Sequence, residues 1–156
     1  MNNIKVRIAN EEDADKIYDL WIKLSEDHMS KDPSRVNIKR MQYNNFYVEV
    51  IKNEACKVYV AVSNDIIVGF MELYLLDKDS EFPIDRYGYI LHTYVEEEYR
   101  KSKAFIKMYN AVIKYLRKCN ISYLQVDVYK HNTKFYNSIK FFGGIEYKTR
   151  FIKTLD

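Results

Sequence analysis

The sequence predicts a single domain of the α/β class. Its sheet is expected to be mixed (α+β), with helices on both faces. Two observations predict this class. Strand-type alternation and helix-type spacing of apolar residues follow one another along the chain. Short loops join the strands of the first half, whereas a helix joins the strands of the second half. Short loops make neighbouring strands antiparallel and a helical crossover makes them parallel, so we expect a mixed sheet.

The N-terminal part predicts one strand followed by an amphipathic helix. Ile4, Val6 and Ile8 alternate with charged residues, which is typical of a half-buried strand. Asn10 is the predicted N-cap, and acidic residues follow it where the helix dipole favours negative charge. The helix is predicted to end near Asp27. Its apolar stripe consists of Ala14, Ile17, Tyr18, Trp21 and Leu24.

A second helix is predicted over residues 36–52, after a break at residues 32–34 that contains Pro33. Its inner face is predicted to consist of Ile38, Met41, Val48 and Ile51. A β-hairpin follows, because Val58, Val60 and Val62 alternate and Asn64-Asp65 is a two-residue turn signal. The second strand of this hairpin covers residues 66–76.

A strand–helix–strand unit is predicted next, with a strand at 87–95, a helix at 103–119 and a strand at 123–128. We expect a right-handed parallel crossover there. The helix is predicted from one apolar stripe, which consists of Phe105, Met108, Val112, Tyr115, Leu116 and Cys119. A short helix at 132–142 ends at Gly143-Gly144, and residues 145–155 form the last predicted strand. The predicted order is β-α-α-β-β-β-α-β-α-β in one domain, residues 1–156.

Composition and charge argue against several classes of function, among them nucleic-acid binding, membrane insertion and metal binding through cysteines. The net charge of +3 is too small to indicate nucleic-acid binding by itself. No apolar run is long enough for a membrane span or a signal peptide, so the expected location is the cytoplasm. Cys56 and Cys119 lie far apart among apolar residues, which indicates buried, reduced thiols and no metal motif. We also expect His28 and His131 to be surface residues in loops.

Three segments of this chain resemble the GNAT superfamily of acetyl-CoA-dependent N-acetyltransferases. The clearest is Tyr94-Val95-Glu96-Glu97-Glu98-Tyr99-Arg100, which is similar to the end of the family's fourth strand and the start of its pyrophosphate loop. The second runs from Val128 through Asn132 to Gly143, and the third is the opening Val6-Arg7-x-Ala9-x-x-x-Asp13. The resemblance covers nearly the whole chain and implies the GNAT-like acyl-CoA N-acyltransferase fold.

The resemblance also implies a cofactor site. In the family, acetyl-CoA places its pyrophosphate on the N-terminus of the helix after the fourth strand, where unpaired N–H groups and the dipole favour anions. Pantetheine lies between the fourth and fifth strands, held by backbone N–H groups near Val95 that polarise the thioester. The implied cofactor-binding residues are Tyr94, Val95, Arg100, Lys101, Ser102, Lys103, Ala104 and Asn132.

Three positions depart from the family pattern. The two small residues of the family's Arg-x-x-Gly-x-Gly/Ala loop are Lys103 and Phe105 here, and Ile139 occupies the usual position of a thiolate-protonating tyrosine. A Phe side chain can fill the volume of a phosphate, and a residue other than Gly resists positive φ. The cations of this loop are equally consistent with a bound polyanion and with a solvated charge run.

The resemblance assigns two candidate catalytic residues. Tyr136 lies one turn before Ile139 on the same helix face and is the candidate acid. His92 is the candidate base, because some relatives carry a carboxylate near its position and imidazole changes charge near neutral pH. Strand alternation predicts that His92 shares a face with Ile90 and Tyr94. Glu72 is a weaker candidate, expected to face solvent.

Two functions therefore remain open. The first is an active N-acetyltransferase that acetylates a small-molecule or peptide amine. The second is an inactive GNAT-fold protein that binds a ligand or a partner, for which Lys103, Phe105 and Ile139 argue. An RNA-binding surface of aromatic and basic residues near the C-terminus is a weaker alternative, and the balanced charge argues against it. The resemblance further implies a homodimer.

Overall fold

The computed structural model describes residues 3–32, 45–78, 84–153 and 155. A five-stranded sheet with order β1-β2-β3-β4-β5 forms its centre. The strands are β1 (Lys5–Ile8), β2 (Cys56–Ser63), β3 (Ile66–Asp77), β4 (Arg86–Val95) and β5 (Leu124–Val126). The helices are α1 (Ala14–Met29), α2 (Phe46–Lys52), α3 (Ala104–Lys118) and α4 (Thr133–Phe141). The pairs from β1 to β4 are antiparallel and β4 pairs with β5 in parallel, which confirms the predicted mixed sheet.

The hairpin between β2 and β3 forms where the sequence predicts it. Asn64 and Asp65 have φ values of 48° and 63°, the left-handed pair that a two-residue hairpin turn requires. Both faces of the paired strands are covered, since Phe70 on one face and Met71 on the other are completely buried. This strand pair is therefore the centre of the molecule.

The start of α1 is fixed by an ion pair. Asn10 precedes a single 3-10 turn, and its N–H donates to Asp13 Oδ2 at 2.8 Å. The Arg7 guanidinium forms two hydrogen bonds with the same carboxylate, at 2.6 and 2.8 Å. These bonds, the one from Arg7 above all, hold the pKa of Asp13 below its usual range. Asn10 is thus present as the predicted cap, at the start of the 3-10 turn that leads into α1. The Asp13 carboxylate binds both the Asn10 N–H and the Arg7 side chain of β1.

Two apolar cores lie on opposite faces of the sheet. Helices α1 and α2 cover one face, where the largest buried side chains include Ile17, Leu20, Tyr47 and Phe70. Helix α3 covers the other face with Ala104, Met108, Val112 and Leu116. We call these the α1/α2 face and the α3 face. The expectation of helices on both faces is confirmed.

The second predicted helix differs in its buried side. Residues 36–44, with Ile38 and Met41, lie outside the described residues. In α2 the buried residues are Tyr47 and Val50, whereas Val48 and Ile51 are only half-buried. The predicted inner face, Val48 and Ile51, is therefore shifted by one position from the buried residues. Tyr47 can enter the core because its hydroxyl has a partner there.

Further differences lie in the last third of the chain. Residues 145–153 form no strand, and β5 is shorter than predicted. Cys119 is exposed just beyond α3, so its predicted burial was wrong, whereas Cys56 is buried as expected. The apolar alternation at 145–155 favours a strand, but a strand also needs a neighbour to pair with.

Helix α4 ends where Gly143-Gly144 predicts. Gly143 has a φ of 85°, its N–H donates to Lys140 O, and the Gly144 N–H donates to Ile139 O. This pair of bonds is a Schellman motif, which needs the left-handed residue that Gly143 supplies. At the other end Asn132 Oδ1 accepts from the Phe135 N–H at 3.2 Å. Both ends of α4 are therefore capped by residues visible in the sequence.

Candidate functional site

A gap opens between β4 and β5. The two strands pair only over Gly88–Ile90 and Leu124–Val126. Beyond Ile90, β4 keeps its pairing with β3 as far as Val95 but has no partner on its other edge among the described residues. This edge without a strand neighbour is the kind of opening that the pantetheine arm expected from the resemblance requires.

A β-bulge lies where the two strands separate. Glu72 pairs with His92 and Leu73 pairs with Ile90, so Leu91 is the extra residue on β4. A bulge bends its strand and shifts the alternation of side chains by one position. Ile90 belongs to the α3-face core, whereas His92 contacts Trp21 of α1, with ring centroids 6.2 Å apart. The prediction that His92 shares a face with Ile90 was therefore wrong.

The open edge of β4 carries the N–H group that the sequence assigns to the thioester. The Glu96 N–H donates to Val68 O of β3 at 2.9 Å. Because donors alternate between the two edges of a strand, the N–H groups of Val95 and Thr93 point away from β3, towards the gap. The Val95 N–H is therefore not used in the pairing of β3 with β4.

The chain turns back after β4 through a cationic loop, residues 100–103. Arg100 Nε donates to Val95 O at 3.1 Å, and its guanidinium lies 5.6 Å from the centre of the Tyr94 ring. This residue therefore holds the loop against the end of β4. Lys101 and Lys103 are exposed at the start of α3, so their charges are available to an anion.

The start of α3 needs no glycine. Lys103 has a φ of −82°, so the expected conflict with positive φ does not occur. Ser102 Oγ donates to Tyr99 O at 2.6 Å and accepts from the Ala104 N–H at 3.2 Å. Helix geometry leaves the next N–H groups without intrahelical acceptors. The loop thus presents cations and backbone donors side by side.

Phe105 joins α3 to α4. Its ring packs against Tyr109, Phe135 and Phe142, with centroid distances of 6.0, 5.7 and 6.1 Å. The side chain therefore lies between the first turn of α3 and α4, and it also packs against the core of the α3 face. As expected from the sequence, a Phe side chain at this position can fill the volume of a phosphate. The cluster shows which residues surround that side chain.

A buried polar cluster lies beside the gap on the α1/α2 face. His92 Nδ1 is 3.0 Å from Glu72 Oε2, and the Tyr47 hydroxyl donates to the same oxygen at 3.1 Å. The Glu72 side chain is only 1% exposed, whereas that of His92 is 20% exposed. The expectation that Glu72 faces solvent was wrong. Burial, reinforced by the Glu72 charge, raises the pKa of Tyr47 far above its usual value, so this hydroxyl stays a donor.

Tyr47 is the residue that the sequence analysis missed at this site. Its contact with Glu72 spans 25 positions of sequence, and the contact of Glu72 with His92 spans 20. Periodicity marks Tyr47 only as one aromatic residue of a helix, so no local signal identifies its hydroxyl as a partner. Only the docking of α2 on β3 brings the two together.

The candidate acid lies on the solvent side of α4. Tyr136 is exposed, and its hydroxyl donates to the Glu146 carboxylate in the segment after α4. This bond raises the pKa of Tyr136 above its usual value, so the hydroxyl is protonated at neutral pH. Asn132, a predicted cofactor ligand, already uses Oδ1 as the cap of α4.

Of the remaining histidines, His131 is exposed in a turn, as expected, whereas His28 differs from expectation. His28 lies within α1 and is buried, with ring centroids 4.6 Å from Tyr129 and 5.8 Å from His131. The prediction of a loop histidine at the surface was wrong for His28, because its side chain packs against the segment after β5. Within the described part of the chain, no group of three or more His, Cys, Asp or Glu side chains is suited to a metal ion.

Known proteins share this architecture. The sequence model of the Acetyltransferase (GNAT) family matches residues 16–142. No curated protein matches the chain in sequence. This match covers most of the 156 residues, from the first turn of α1 to the end of α4. No helix of the described residues is long and apolar enough to cross a bilayer.

Solved structures agree with the family match. The tetramutant of the BH1408 protein from Bacillus halodurans is 19% identical, with a TM-score of 0.84 over 97% of this chain and 99% of that chain. An aminoglycoside acetyltransferase from an uncultured soil metagenomic sample is 17% identical, with a TM-score of 0.74 over 98% and 97%. A predicted acetyltransferase from Clostridium acetobutylicum, solved with acetyl-CoA, is 15% identical, with a TM-score of 0.73 over 98% and 96%. At these identities the likeness establishes the fold alone.

Proposed function

This chain belongs to the GNAT acetyltransferase family, and on that basis we propose that it transfers the acetyl group of acetyl-CoA to a primary amine. The observation that carries the proposal is the gap between β4 and β5, which opens beside the cationic start of α3. An extended pantetheine arm fits an unpaired strand edge, and a pyrophosphate fits a helix N-terminus. One ligand that joins these two chemical groups is a coenzyme A thioester.

The acetyl-CoA would be held at both ends of this gap. We assign the pyrophosphate to Lys101, Lys103 and the backbone around Ser102 and Ala104, where charge and free N–H groups combine. Arg100 supports the loop through its bond to Val95 O and contributes its charge. The Tyr94 ring lies against that guanidinium, and we assign Asn132, the N-cap of α4, to the other side of the cofactor.

The chemical step follows from the groups beside the gap. A neutral amine attacks the thioester carbonyl carbon, and the Val95 N–H stabilises the oxyanion that forms. The carbon–sulfur bond then breaks, which leaves the acetylated amine and a thiolate. His92 takes the amine proton. Tyr136 is the candidate that donates a proton to the thiolate. For this step its hydroxyl must leave Glu146, which requires a movement of α4. The acceptor class is a small-molecule or peptide amine in the cytoplasm.

Thermal unfolding with acetyl-CoA tests the proposal. A ligand at 100 times its dissociation constant adds about 2.7 kcal/mol to the folded state, or about 5–10 °C in a domain of this size. We expect Lys101→Ala to reduce this shift and Lys118→Ala, at the far end of α3, to leave it unchanged. If millimolar acetyl-CoA produces no shift, the proposed activity is wrong.

The contact of Phe105 with α4 favours a second candidate, an inactive GNAT-fold protein in which this ring closes the cofactor groove. The double variant Lys103→Gly, Phe105→Gly separates the two. A gain in acetyl-CoA affinity shows that these residues block the loop. Unchanged or lower affinity, in a protein that binds acetyl-CoA, shows that the groove accepts the cofactor with both residues present.

We also propose that the chain forms a homodimer through the apolar segment after α4. Six large apolar side chains, from the last residue of α4 onwards, are between 68% and 90% exposed. They are Phe141, Ile145, Tyr147, Phe151, Ile152 and Leu155. Together they expose on the order of 800 Å², which is what one partner of a stable complex buries. The alternation of this segment fits pairing with a strand edge of a second copy.

Sedimentation analysis tests the dimer. We expect the wild-type chain to sediment as a dimer at micromolar concentration and the double variant Ile145→Glu, Phe151→Glu to be a monomer. The exposed Ile66→Glu change on the distant hairpin turn is the control and leaves the mass unchanged. A wild-type monomer at all concentrations contradicts the proposal.

A further inference from the structure

We propose that Glu72 is the positioning residue for His92: it holds the imidazole with its proton on Nδ1, so that the lone pair of Nε2 remains free to accept the amine proton. This inference rests on the proposed function in one respect, the role of His92 as the proton acceptor. The arrangement of Glu72, Tyr47 and His92 is a property of the folded chain before any substrate binds.

Hydrogen-bond chemistry sets the tautomer. Glu72 Oε2 faces two groups, the Tyr47 hydroxyl at 3.1 Å and His92 Nδ1 at 3.0 Å. A carboxylate oxygen only accepts, so a neutral His92 that bonds through Nδ1 must carry its proton there. The unprotonated nitrogen is then Nε2, the one that can act as a base. Without a fixed partner, an imidazole can exchange the two tautomers.

Burial argues that the carboxylate has more than a packing role. The Glu72 side chain is 1% exposed and lies on a face otherwise covered by aromatic and aliphatic side chains. A buried carboxylate is costly unless hydrogen bonds compensate it, and an apolar residue of similar volume packs there without that cost. The compensation here comes from Tyr47 and His92, and Tyr74 also interacts with Glu72 through its hydroxyl.

The β-bulge supplies a second, independent argument. Regular alternation would place His92 on the α3 face together with Ile90, away from Glu72. The extra residue Leu91 turns the imidazole onto the α1/α2 face, directly across from Glu72 in the β3–β4 register. The same bulge marks the end of β4–β5 pairing. One backbone irregularity therefore both opens the gap and brings the imidazole to its partner.

Tyr47 adjusts this pair from α2. Its hydroxyl donates to the oxygen that faces His92, which draws negative charge away from the imidazole. Removal of the two partners should therefore shift His92 in opposite directions. Loss of the Glu72 charge makes protonation of His92 harder, whereas loss of the Tyr47 hydroxyl makes it easier. If Glu72 and Tyr47 served only for packing, the two variants would not change the protonation of His92 in opposite directions.

NMR of the imidazole nitrogens on the resting protein is the test. In the wild type we expect neutral His92 to show the Nδ1–H tautomer. In Glu72→Gln the pH midpoint of the His92 titration should fall, and in Tyr47→Phe it should rise. Tyr59→Phe, a buried tyrosine on the α3 face, is the control and leaves the midpoint in place.

The other groups near Glu72 do not titrate in the range of the measurement. Burial raises the pKa of Cys56 to about 12, and burial also raises the pKa of Tyr74 far above its usual value. Trp21, the neighbour of His92 on α1, does not ionise. A change of midpoint in the variants therefore reports the Glu72–Tyr47–His92 cluster.

The outcomes are separable from those of the acetyl-transfer proposal. A neutral Nε2–H tautomer in the wild type, or an unchanged midpoint in Glu72→Gln, overturns the positioning role. If Glu72→Gln does not fold, Tyr47→Phe remains as a test. In that case the positioning role is overturned when the midpoint of the His92 titration does not rise in Tyr47→Phe. The expected shifts in a protein without acetyl transfer leave the positioning role standing and overturn the proposed function. In an active enzyme, the acidic limb of the kcat/KM profile should move to lower pH in Glu72→Gln.

Discussion

The two sides of the gap differ in how much of them is buried. On one side, β3 and β4 pair over most of their length, and the side chains of Phe70, Met71 and Leu73 are completely buried. On the other side, β5 has three residues and no buried side chain, and α4 buries none of its residues. The base candidate belongs to the first side, whereas the acid candidate and one wall of the cofactor groove belong to the second.

This difference has a physical consequence for function. A proton acceptor must be held in one orientation, and the paired strands with their buried carboxylate provide that rigidity. A wall that admits and releases a large cofactor must move at low cost, and a segment with few buried contacts can do so. The second side also carries the exposed apolar side chains through which we propose that the chain dimerises.

The largest effect should come from the centre of the sheet. Phe70→Ala removes a completely buried ring next to Tyr47 and should lower the free energy of unfolding by about 3–5 kcal/mol. Phe141→Ala removes a ring that is 84% exposed and should change it by less than about 0.5 kcal/mol. Urea unfolding of dilute, monomeric protein measures both, and equal losses would contradict the comparison.

A smaller, pH-dependent effect is expected at the start of α1. Asp13→Asn removes the charge that Arg7 binds and should lower the free energy of unfolding by about 1–3 kcal/mol at neutral pH. The pKa of Asp13 is depressed in the folded state. Its contribution is therefore complete above the unfolded value near ~4 and lost as the pH falls through the lower folded value.

Urea unfolding at neutral pH and in acid, compared with the wild type, checks this expectation. The exposed Asp15→Asn change in the same turn is the matched control and should have little effect at either pH. A difference between Asp13→Asn and the wild type that grows towards acid would show that the sign is wrong.

The third expected effect is confined to α4. Gly143→Ala forces a side chain into a left-handed conformation, with a φ of 85°, at a cost of roughly 1–2 kcal/mol. An added Cβ meets no atom within 4 Å, so the cost is one of backbone conformation alone. Gly143→Asn should cost less, because Asn tolerates this region.

Hydrogen exchange distinguishes a local from a global effect of Gly143→Ala. Because α4 buries none of its residues, its amides should exchange faster while those of β3 keep their protection. Equal loss of protection in α4 and β3 would show that the two sides of the gap unfold as one unit.

The smallest effect is expected for the ion pair between α1 and the end of β4. Lys23 Nζ lies 2.6 Å from Glu96 Oε1, but the Lys23 side chain is 48% exposed. Lys23→Met should therefore lower the free energy of unfolding by about 0.5 kcal/mol or less, and salt should remove the difference. Unfolding at low and high ionic strength checks this, with Lys5→Met as a control on an exposed lysine of β1. A salt-independent loss would point to packing by the Lys23 stem.

The loop before α3 was easier to predict than the cluster around His92. The loop from Arg100 to Ala104 is continuous in sequence, so its charges and its place before α3 follow from local signals. The groups around His92 come from β3, β4 and α2. Their assembly depends on strand register and on a bulge, and neither leaves a local mark in the sequence.

The sequence by itself determined the order of elements up to α4, the hairpin turn at Asn64-Asp65, the caps at Asn132 and Gly143, and the family resemblance. These features depend on neighbours within a few positions, where propensity, periodicity and turn chemistry act. Only the tertiary structure decided that His92 faces Glu72, that residues 145–153 lie unpaired and that Phe105 packs against α4. Each depends on a contact across long sequence distance, or on a partner strand that local pattern cannot supply.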